Sequence, residues 1–276
     1  MIIRPGAIGD CLLAFPAMQH LHAEYTEIWI SRPVVPLISF ADRVRPLAET
    51  GIDLLGIEDV EVPAAVQATL GTFDSIVSWY GSGRPEFRDA LEKLGPSCIF
   101  LRALPPADYK GHATTYFCEQ VGAPDQCPRL RVEPTPPCPE VVIHPFSGGR
   151  RKNWPLDKYQ ELAASLKLNV YWTAGPEESL PGARRFEDLV ALARWLTGAR
   201  LYIGNDSGIT HLAAALGVQT LALFGPTDPR TWAPRGGNVT VLRNQPVSDL
   251  SVEAVLEAAN RLLMLASVPP REDLAQ

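Results

Sequence analysis

Short apolar runs alternate with segments of helical periodicity along most of this 276-residue chain. The runs are rich in Val, Ile and Leu and lack apolar–polar alternation, which is typical of parallel strands covered on both faces. Strands that alternate with helices predict βαβ units. The predicted strands are 2–4, 27–31, 53–57, 74–79, 98–101, 141–144, 169–174, 200–204, 220–225 and 239–243. The predicted helices are about 9–23, 85–94, 112–121, 157–167, 186–197, 207–216 and 251–265.

A proline-rich stretch divides this pattern into two halves of similar size. EPTPPCPE, residues 133–140, has four prolines in eight residues, so it cannot join a sheet and predicts a semi-rigid connector. We therefore predict an α/β protein with domains at 1–132 and 141–266, a linker at 133–140 and a tail at 267–276. The two domains are expected to leave a cleft lined by loops at the carboxyl ends of their strands.

Charge and composition narrow the class of protein. The formal charge of −6 argues against a nucleic-acid-binding protein, although Arg150, Arg151 and Lys152 form a local basic patch. No apolar run approaches the ~20 residues that span a bilayer, and the first residues lack the regions of a signal peptide. The five cysteines form no CxxC pair, which favours free thiols over a metal site or disulfides. These features predict a cytoplasmic protein.

The stretch YIGNDSGITHLAAALG, residues 202–217, runs from a predicted strand into a predicted helix. Asp206 or Ser207 is a suitable N-cap, and Gly208 leaves the first-turn amides open to close approach. Free amides and the helix dipole make such a helix start an anion site. The alternative is a plain helix cap with His211 packed on it, and the residues alone leave both interpretations open.

The stretch VIHPFSGGRRKNWP, residues 142–155, also follows a predicted strand. Ser147, Gly148 and Gly149 expose amides, and three cations ending at Lys152 can pair with phosphate oxygens. A solvated charge run on a turn is the alternative. The position at the carboxyl end of a parallel strand, where ligands bind, favours a phosphate site.

The N-terminal stretch RPGAIGDCLLAFPAM, residues 4–18, places two glycines before a predicted helix and an aspartate in its first turn. Gly6 and Gly9 resemble the start of a dinucleotide-binding loop. However, position 8 is isoleucine and no acidic residue follows a second strand, so a dehydrogenase is a poor match. The helix dipole stabilises the ionised form of Asp10. Asp10 is therefore a helix cap or a catalytic base, and the local residues leave both open.

Four segments in this order resemble glycosyltransferase family 9, whose best-known members are ADP-heptose:lipopolysaccharide heptosyltransferases. The segments are GAIGDCLLAFPAM, KNWP, GNDSGITHLAAALG and FGPTDP, and they extend from residue 1 to about residue 245. The resemblance implies a GT-B fold, in which two Rossmann-like domains with parallel sheets face a central cleft. This fold agrees with the two halves predicted from the strand pattern.

The resemblance also implies roles for residues at matching positions. Asp10 matches the family's proposed general base, which takes the proton from the acceptor hydroxyl. Lys152 matches the lysine that holds the donor pyrophosphate, and Glu177 matches an acidic residue near the adenosine ribose. The positions that fall where the family holds the phosphates and sugar of the donor are Ser147, Gly148, Asp206, Ser207, Gly208 and His211.

The implied reaction is an inverting transfer of heptose from ADP-heptose to a lipopolysaccharide core or related surface glycan. No DxD motif is present, so neither a metal nor another cofactor is expected to be required. The implied place is the cytoplasm, with peripheral contact at the inner membrane. No nucleic-acid partner is expected.

This sequence departs from the family pattern in three respects. The chain is shorter than typical members, Phe146 stands where the family often has glycine, and the first half lacks a pronounced basic cluster. These departures leave open a different sugar or acceptor, such as another glycan or a protein. They also leave open a non-catalytic protein that binds nucleotide sugars, although Asp10 and Lys152 favour catalysis.

Overall fold

The computed structural model describes residues 1–266, and the tail predicted at 267–276 lies outside the described residues. Two compact units divide between Pro128 and Arg129, and each holds one five-stranded sheet. Across the described residues, no helix has the length and apolar character needed to cross a bilayer.

Unit 1 is built on a parallel sheet with β1 at its centre. Its strands are β1 (Ile2–Arg4), β2 (Glu27–Ile30), β3 (Arg43–Pro46), β4 (Ser75–Ser78) and β5 (Ser97–Phe100). They lie in the order β3-β2-β1-β4-β5, and each neighbouring pair is parallel. Every residue of β1 and β2 is buried, as expected of central strands covered on both faces.

The helices of unit 1 follow the strands along the chain. They are α1 (Ile8–Leu13), α2 (Phe15–His20), α3 (Ala64–Leu70), α4 (Pro85–Glu92) and α5 (Ala113–Val121). Turns of 3₁₀ helix lie at Arg32–Leu37, Leu47–Glu49 and Ile52–Leu54.

Unit 2 repeats the βαβ plan with a different strand order. Its strands are β6 (Val141–His144), β7 (Val170–Trp172), β8 (Leu201–Asn205), β9 (Thr220–Phe224) and β10 (Val239–Arg243). They lie in the order β10-β9-β8-β6-β7, and all pairs are parallel. The helices are α6 (Leu156–Ser165), α7 (Leu189–Leu196), α8 (Gly208–Ala215), α9 (Pro229–Trp232) and α10 (Val252–Ala266). Turns of 3₁₀ helix lie at Arg150–Lys152 and Val247–Asp249.

The core of unit 2 fixes the strands whose ends carry the candidate site. Inward side chains of β6, β8 and β9 pack with those of α6 and α10. Trp154 and Tyr159 are fully buried there, with ring centroids 4.8 Å apart. The proline-rich stretch predicted as a linker belongs to this unit, where the Thr135 amide donates to the Arg194 carbonyl at 3.1 Å.

The α/β fold with two Rossmann-like domains is confirmed, but the strand predicted at 53–57 is wrong. Gly51 and Gly56 adopt left-handed φ angles of +73° and +77°, and a 3₁₀ turn lies between them. Ile52 and Leu55 are the buried residues, and their spacing of three is that of a helical turn. The actual strand is β3, whose arginines hid it from a search for apolar runs. Among the strands of residues 1–266 it pairs with β2 alone, at the edge of the sheet.

The helix predicted at 9–23 is two helices. Pro16 has no N–H to donate to the Leu12 carbonyl, so α1 ends at Leu13 and α2 begins at Phe15. The sequence also did not predict α3 or the short α9. The other predicted strands and helices are present, with ends that differ by at most three residues.

Candidate functional site

In unit 2, the strand order places two loops side by side at the carboxyl edge of the sheet. The chain passes from β6 to β7 on one side and returns to β8 on the other side of β6. Such a reversal opens a crevice between the loops that follow the two central strands, which is where open α/β sheets bind ligands. These loops begin at Pro145 and Asp206, and they carry most of the residues predicted from sequence.

Asn205, the last residue of β8, joins the two loops. Its side chain is fully buried, and Nδ2 donates to the Pro145 carbonyl at 2.8 Å. Oδ1 accepts from the Trp154 amide at 2.9 Å and from the Tyr159 hydroxyl at 3.1 Å. Both ends of the loop between β6 and α6 are therefore bonded to the end of β8.

Lys152 and Asp206 form an ion pair between these loops. Lys152 Nζ lies 2.7 Å from Asp206 Oδ2, and the Thr227 hydroxyl, from the loop after β9, donates to the same oxygen at 2.6 Å. The Asp206 side chain is 7% exposed and that of Lys152 is 34% exposed. The pair therefore joins three loops and leaves the ammonium group accessible to a ligand.

Ser207, rather than Asp206, is the N-cap of α8. Its hydroxyl accepts from the Thr210 amide, and Gly208 begins the helix. The free amides of the first turn and the helix dipole form a site of positive potential beside Lys152. His211, which the sequence placed in this site, is buried in α8.

Ser147 shapes the loop that contains Lys152. Its hydroxyl donates to Asn153 Oδ1 at 2.6 Å and accepts from the Gly149 amide at 3.4 Å. Gly148, next to it, is exposed, and a Cβ built there meets no atom within 4 Å. Hydrogen bonds therefore hold the loop at Ser147, while the backbone at Gly148 is accessible to a ligand.

The structure separates Glu177 from its neighbour Glu178. Glu177 is exposed, whereas Glu178 Oε2 lies 3.1 Å from His144 Nε2 and accepts from the Gly175 amide at 2.6 Å. Burial raises the pKa of Glu178, but the hydrogen bonds from His144 and Gly175 outweigh it, so the net pKa is lowered. Glu178 therefore ties the loop after β7 to the end of β6.

In unit 1, Asp10 occupies the corresponding place after β1. The chain reverses direction between β1 and β4, so the start of α1 lies at the switch point of this sheet. Gly6 adopts a φ of +123°, and Asp10 Oδ2 accepts from the Ala7 amide at 3.1 Å. Asp10 is thus part of the helix cap. Asp10 Oδ1 accepts no hydrogen bond from any residue of the described chain.

A buried arginine supports the helix that carries Asp10. Arg4 is 0% exposed and donates to the carbonyl oxygens of Asp10 at 2.9 Å and Ala103 at 3.0 Å. Its guanidinium carbon lies 4.5 Å from the centre of the Phe117 ring. Burial lowers the pKa of this arginine.

Sequence reasoning missed several residues that build these sites, among them Arg4, Asn205 and Thr227. A signal was present in each case. Arg4 is a charge in an apolar strand, Asn205 precedes the predicted cap, and Thr227 lies in the quoted FGPTDP segment. Within residues 1–266, no cluster of three or more His, Cys, Asp or Glu side chains could hold a metal ion.

Comparisons with known proteins agree with the geometry. The profile of the family described as Glycosyltransferase family 9 (heptosyltransferase) matches residues 125–256. Lipopolysaccharide heptosyltransferase 1 of Escherichia coli (strain K12) is 30% identical over 130 residues, which are 40% of this chain and 40% of that protein. The alignment thus spans less than half the length of that relative.

Solved structures resemble the whole chain in fold. The structure of E. coli ADP-heptose lps heptosyltransferase II has a TM-score of 0.73 at 16% identity, covering 97% of this chain and 99% of that one. E. coli heptosyltransferase WaaC with ADP-2-deoxy-2-fluoro heptose has a TM-score of 0.69 at 19% identity, covering 94% and 98%. The predicted GT-B fold class is confirmed by these neighbours.

Proposed function

Because the chain belongs to glycosyltransferase family 9, we propose that it is an inverting glycosyltransferase that uses ADP-heptose. The proposed acceptor is a lipopolysaccharide core or a related surface glycan. One observation carries the proposal: Lys152, Asp206 and the first turn of α8 meet at the switch point of unit 2. Heptosyltransferase relatives and neighbours support the choice of sugar and nucleotide.

In the proposed donor site, unit 2 binds the diphosphate of ADP-heptose. Lys152 Nζ keeps donors for phosphate oxygens while it is paired with Asp206, because an ammonium group has three N–H bonds. The amides at Ser207 and Gly208 and the open loop at Gly148 supply further donors. Glu177 is assigned to the ribose and His211 to the sugar–diphosphate region by family resemblance.

The proposed reaction is a single displacement. The acceptor oxygen attacks the anomeric carbon while the bond from that carbon to the diphosphate oxygen breaks, which inverts the configuration and releases ADP. The anomeric carbon gains cationic character in the transition state. The leaving diphosphate gains negative charge, which Lys152 and the first-turn amides of α8 stabilise. The proposal therefore requires no metal ion.

Asp10 is the proposed general base. Its Oδ2 is held by the Ala7 amide, which fixes the carboxylate, while Oδ1 accepts no hydrogen bond from the described residues. Oδ1 can therefore take the proton of the acceptor hydroxyl as the new bond forms. A capping carboxylate and a catalytic base are compatible in one residue.

The charge of unit 1 favours a second candidate for the acceptor. Residues 1–128 contain 16 Asp and Glu but only 9 Lys and Arg. The net negative charge of such a unit does not attract phosphorylated glycolipids or anionic membrane surfaces. This balance favours a glycan or protein acceptor over a highly phosphorylated lipid, and makes the proposed peripheral contact with the inner membrane weak. With either acceptor, we propose that this protein is located in the cytoplasm.

A thermal-shift panel with ADP, UDP and GDP tests the donor assignment. ADP is expected to raise the melting temperature most, and no stabilisation by ADP contradicts the assignment. Turnover of ADP-heptose with lipopolysaccharide-core, neutral-glycan and protein acceptors then tests the reaction. Stabilisation by ADP without turnover on any acceptor supports a non-catalytic protein that binds nucleotide sugars.

A further inference from the structure

We propose that Asn205 is the positioning residue of the donor site, setting the place of Lys152 relative to the first turn of α8. The inference rests on the proposed donor function. It starts from the position of Asn205 in the chain, at the end of β8 and directly before Asp206. The backbone of Asn205 thus leads into the loop after β8, while its side chain forms hydrogen bonds with the loop after β6.

The contacts of the Asn205 carboxamide lie at the two ends of the loop that carries Lys152. Pro145, at the start of the loop, accepts from Nδ2 at 2.8 Å. The Trp154 amide, at its end, donates to Oδ1 at 2.9 Å. The two hydrogen bonds to Asn205 therefore hold both ends of the segment from Phe146 to Asn153 at the end of β8. This arrangement determines the position of Lys152.

Only a side chain with a donor and an acceptor side by side fits this position. Pro145 offers a carbonyl oxygen and the Trp154 amide offers a hydrogen, and the site is fully buried. An ionised aspartate has the size of asparagine but no donor for the Pro145 carbonyl. Without water, an unmatched carbonyl is costly, so the loop is expected to move away from β8.

A small movement of this loop has a direct effect on the donor site. Lys152 Nζ meets Asp206 Oδ2 at 2.7 Å, a separation that depends on the loop and the end of β8 keeping their register. Charged groups that stabilise a leaving group lose most of their effect when displaced by about 1 Å. Asn205 thus acts through Lys152, without contact between its buried side chain and the donor.

The test compares Asn205→Asp with Tyr159→Phe. The Tyr159 hydroxyl also donates to Asn205 Oδ1, at 3.1 Å, but Tyr159 belongs to α6 and not to the loop. We measure ADP affinity by calorimetry well below the melting temperature of each variant. Asn205→Asp is expected to weaken ADP binding at least tenfold. Tyr159→Phe is expected to lower the melting temperature while ADP affinity stays within twofold of wild type.

Hydrogen–deuterium exchange supplies a second measurement. Loop amides from 146 to 153 are expected to exchange faster in Asn205→Asp, while amides of α10 exchange as in wild type. Asn205→Ser, which leaves space for a water molecule, replaces Asn205→Asp in the same measurements if the latter does not fold. Unchanged ADP affinity in the folded Asn205 variant, or an equal loss in Tyr159→Phe, overturns the positioning role. Failure of the wild-type protein to bind ADP instead overturns the proposed donor function.

Discussion

The buried guanidinium of Arg4 donates a hydrogen bond to the carbonyl oxygen of Asp10 at 2.9 Å. The same group bonds the Ala103 carbonyl and stacks on Phe117, so a fully buried cation joins β1, the first helix and the loop after β5. Arg4 therefore fixes the backbone of Asp10, the proposed base.

Arg4→Met is expected to lower the free energy of unfolding by about 2–4 kcal/mol, because two buried carbonyl groups lose their donors. The measurement is urea denaturation of wild type, Arg4→Met and a second variant, Arg4→Lys. Arg4→Lys retains a charge and N–H donors but loses the planar fork of the guanidinium, and is expected to lose less stability than Arg4→Met. Equal stability of Arg4→Met and wild type contradicts the supporting role of the guanidinium.

Substitution of Asp10 separates its capping role from its proposed catalytic role. Asp10→Asn retains an oxygen that can accept from the Ala7 amide, so its melting temperature should remain near that of wild type. It removes the base, so kcat is expected to fall on the order of 10²–10⁴-fold. Calorimetry with ADP is expected to show unchanged affinity.

Asp10→Ala serves as the comparison for Asp10→Asn. It removes both the base and the acceptor for the amide of Ala7, the N-cap residue, and is expected to cost a further ~0.5–1.5 kcal/mol in unfolding free energy. If Asp10→Asn retains wild-type turnover, the residue is a cap and not a base.

The fold was largely predictable from sequence because the central strands are recognisable as apolar runs. Strands such as β8 and β9 are buried at every position, which favours a mostly apolar run. The edge strand β3 needs no such run, and its arginines face solvent or Glu27 at the sheet margin. Periodicity therefore located the centre of each sheet and missed an edge.

The candidate site was predictable as loops but not as contacts. Sequence placed the proposed phosphate-binding loops after the strands β6 and β8, since glycine, serine and lysine there follow apolar strands. It could not show which of Glu177 and Glu178 turns inward. Adjacent side chains in a turn point in different directions, and those directions depend on the backbone conformation of the turn. The sequence also could not assign the Asn205 carboxamide, whose partners are 51 and 60 residues away along the chain.

Lys152→Met is expected to weaken ADP binding roughly 10- to 100-fold, because a charge-assisted hydrogen bond to phosphate is lost. Thr227→Val provides a matched control. It removes the other donor to Asp206 Oδ2 and keeps the ammonium group, so its effect on ADP affinity should be much smaller. Calorimetry at two salt concentrations measures both effects. ADP binding by wild type should weaken with salt more steeply than binding by Lys152→Met.

The lowered pKa of Glu178 predicts how stability depends on pH. A carboxyl group with a lower pKa in the folded protein than in the unfolded chain stabilises the fold above its ordinary pKa of 4.5. That contribution is lost as the pH falls through the folded pKa, because His144 and the Gly175 amide no longer face a carboxylate. Wild type should therefore lose unfolding free energy below about pH 4.5 more steeply than Glu178→Gln.

Glu177→Gln is the matched control, since Glu177 is the exposed neighbour in the same turn. Its urea denaturation between pH 7 and pH 3 should follow that of wild type, whereas its ADP affinity reports the proposed ribose contact. If Glu178→Gln and wild type lose stability in parallel, the contacts with His144 and Gly175 do not stabilise the folded carboxylate. A steeper acid loss that wild type and Glu177→Gln share and Glu178→Gln lacks assigns the effect to Glu178, since the two glutamates differ in burial and partners and not in composition.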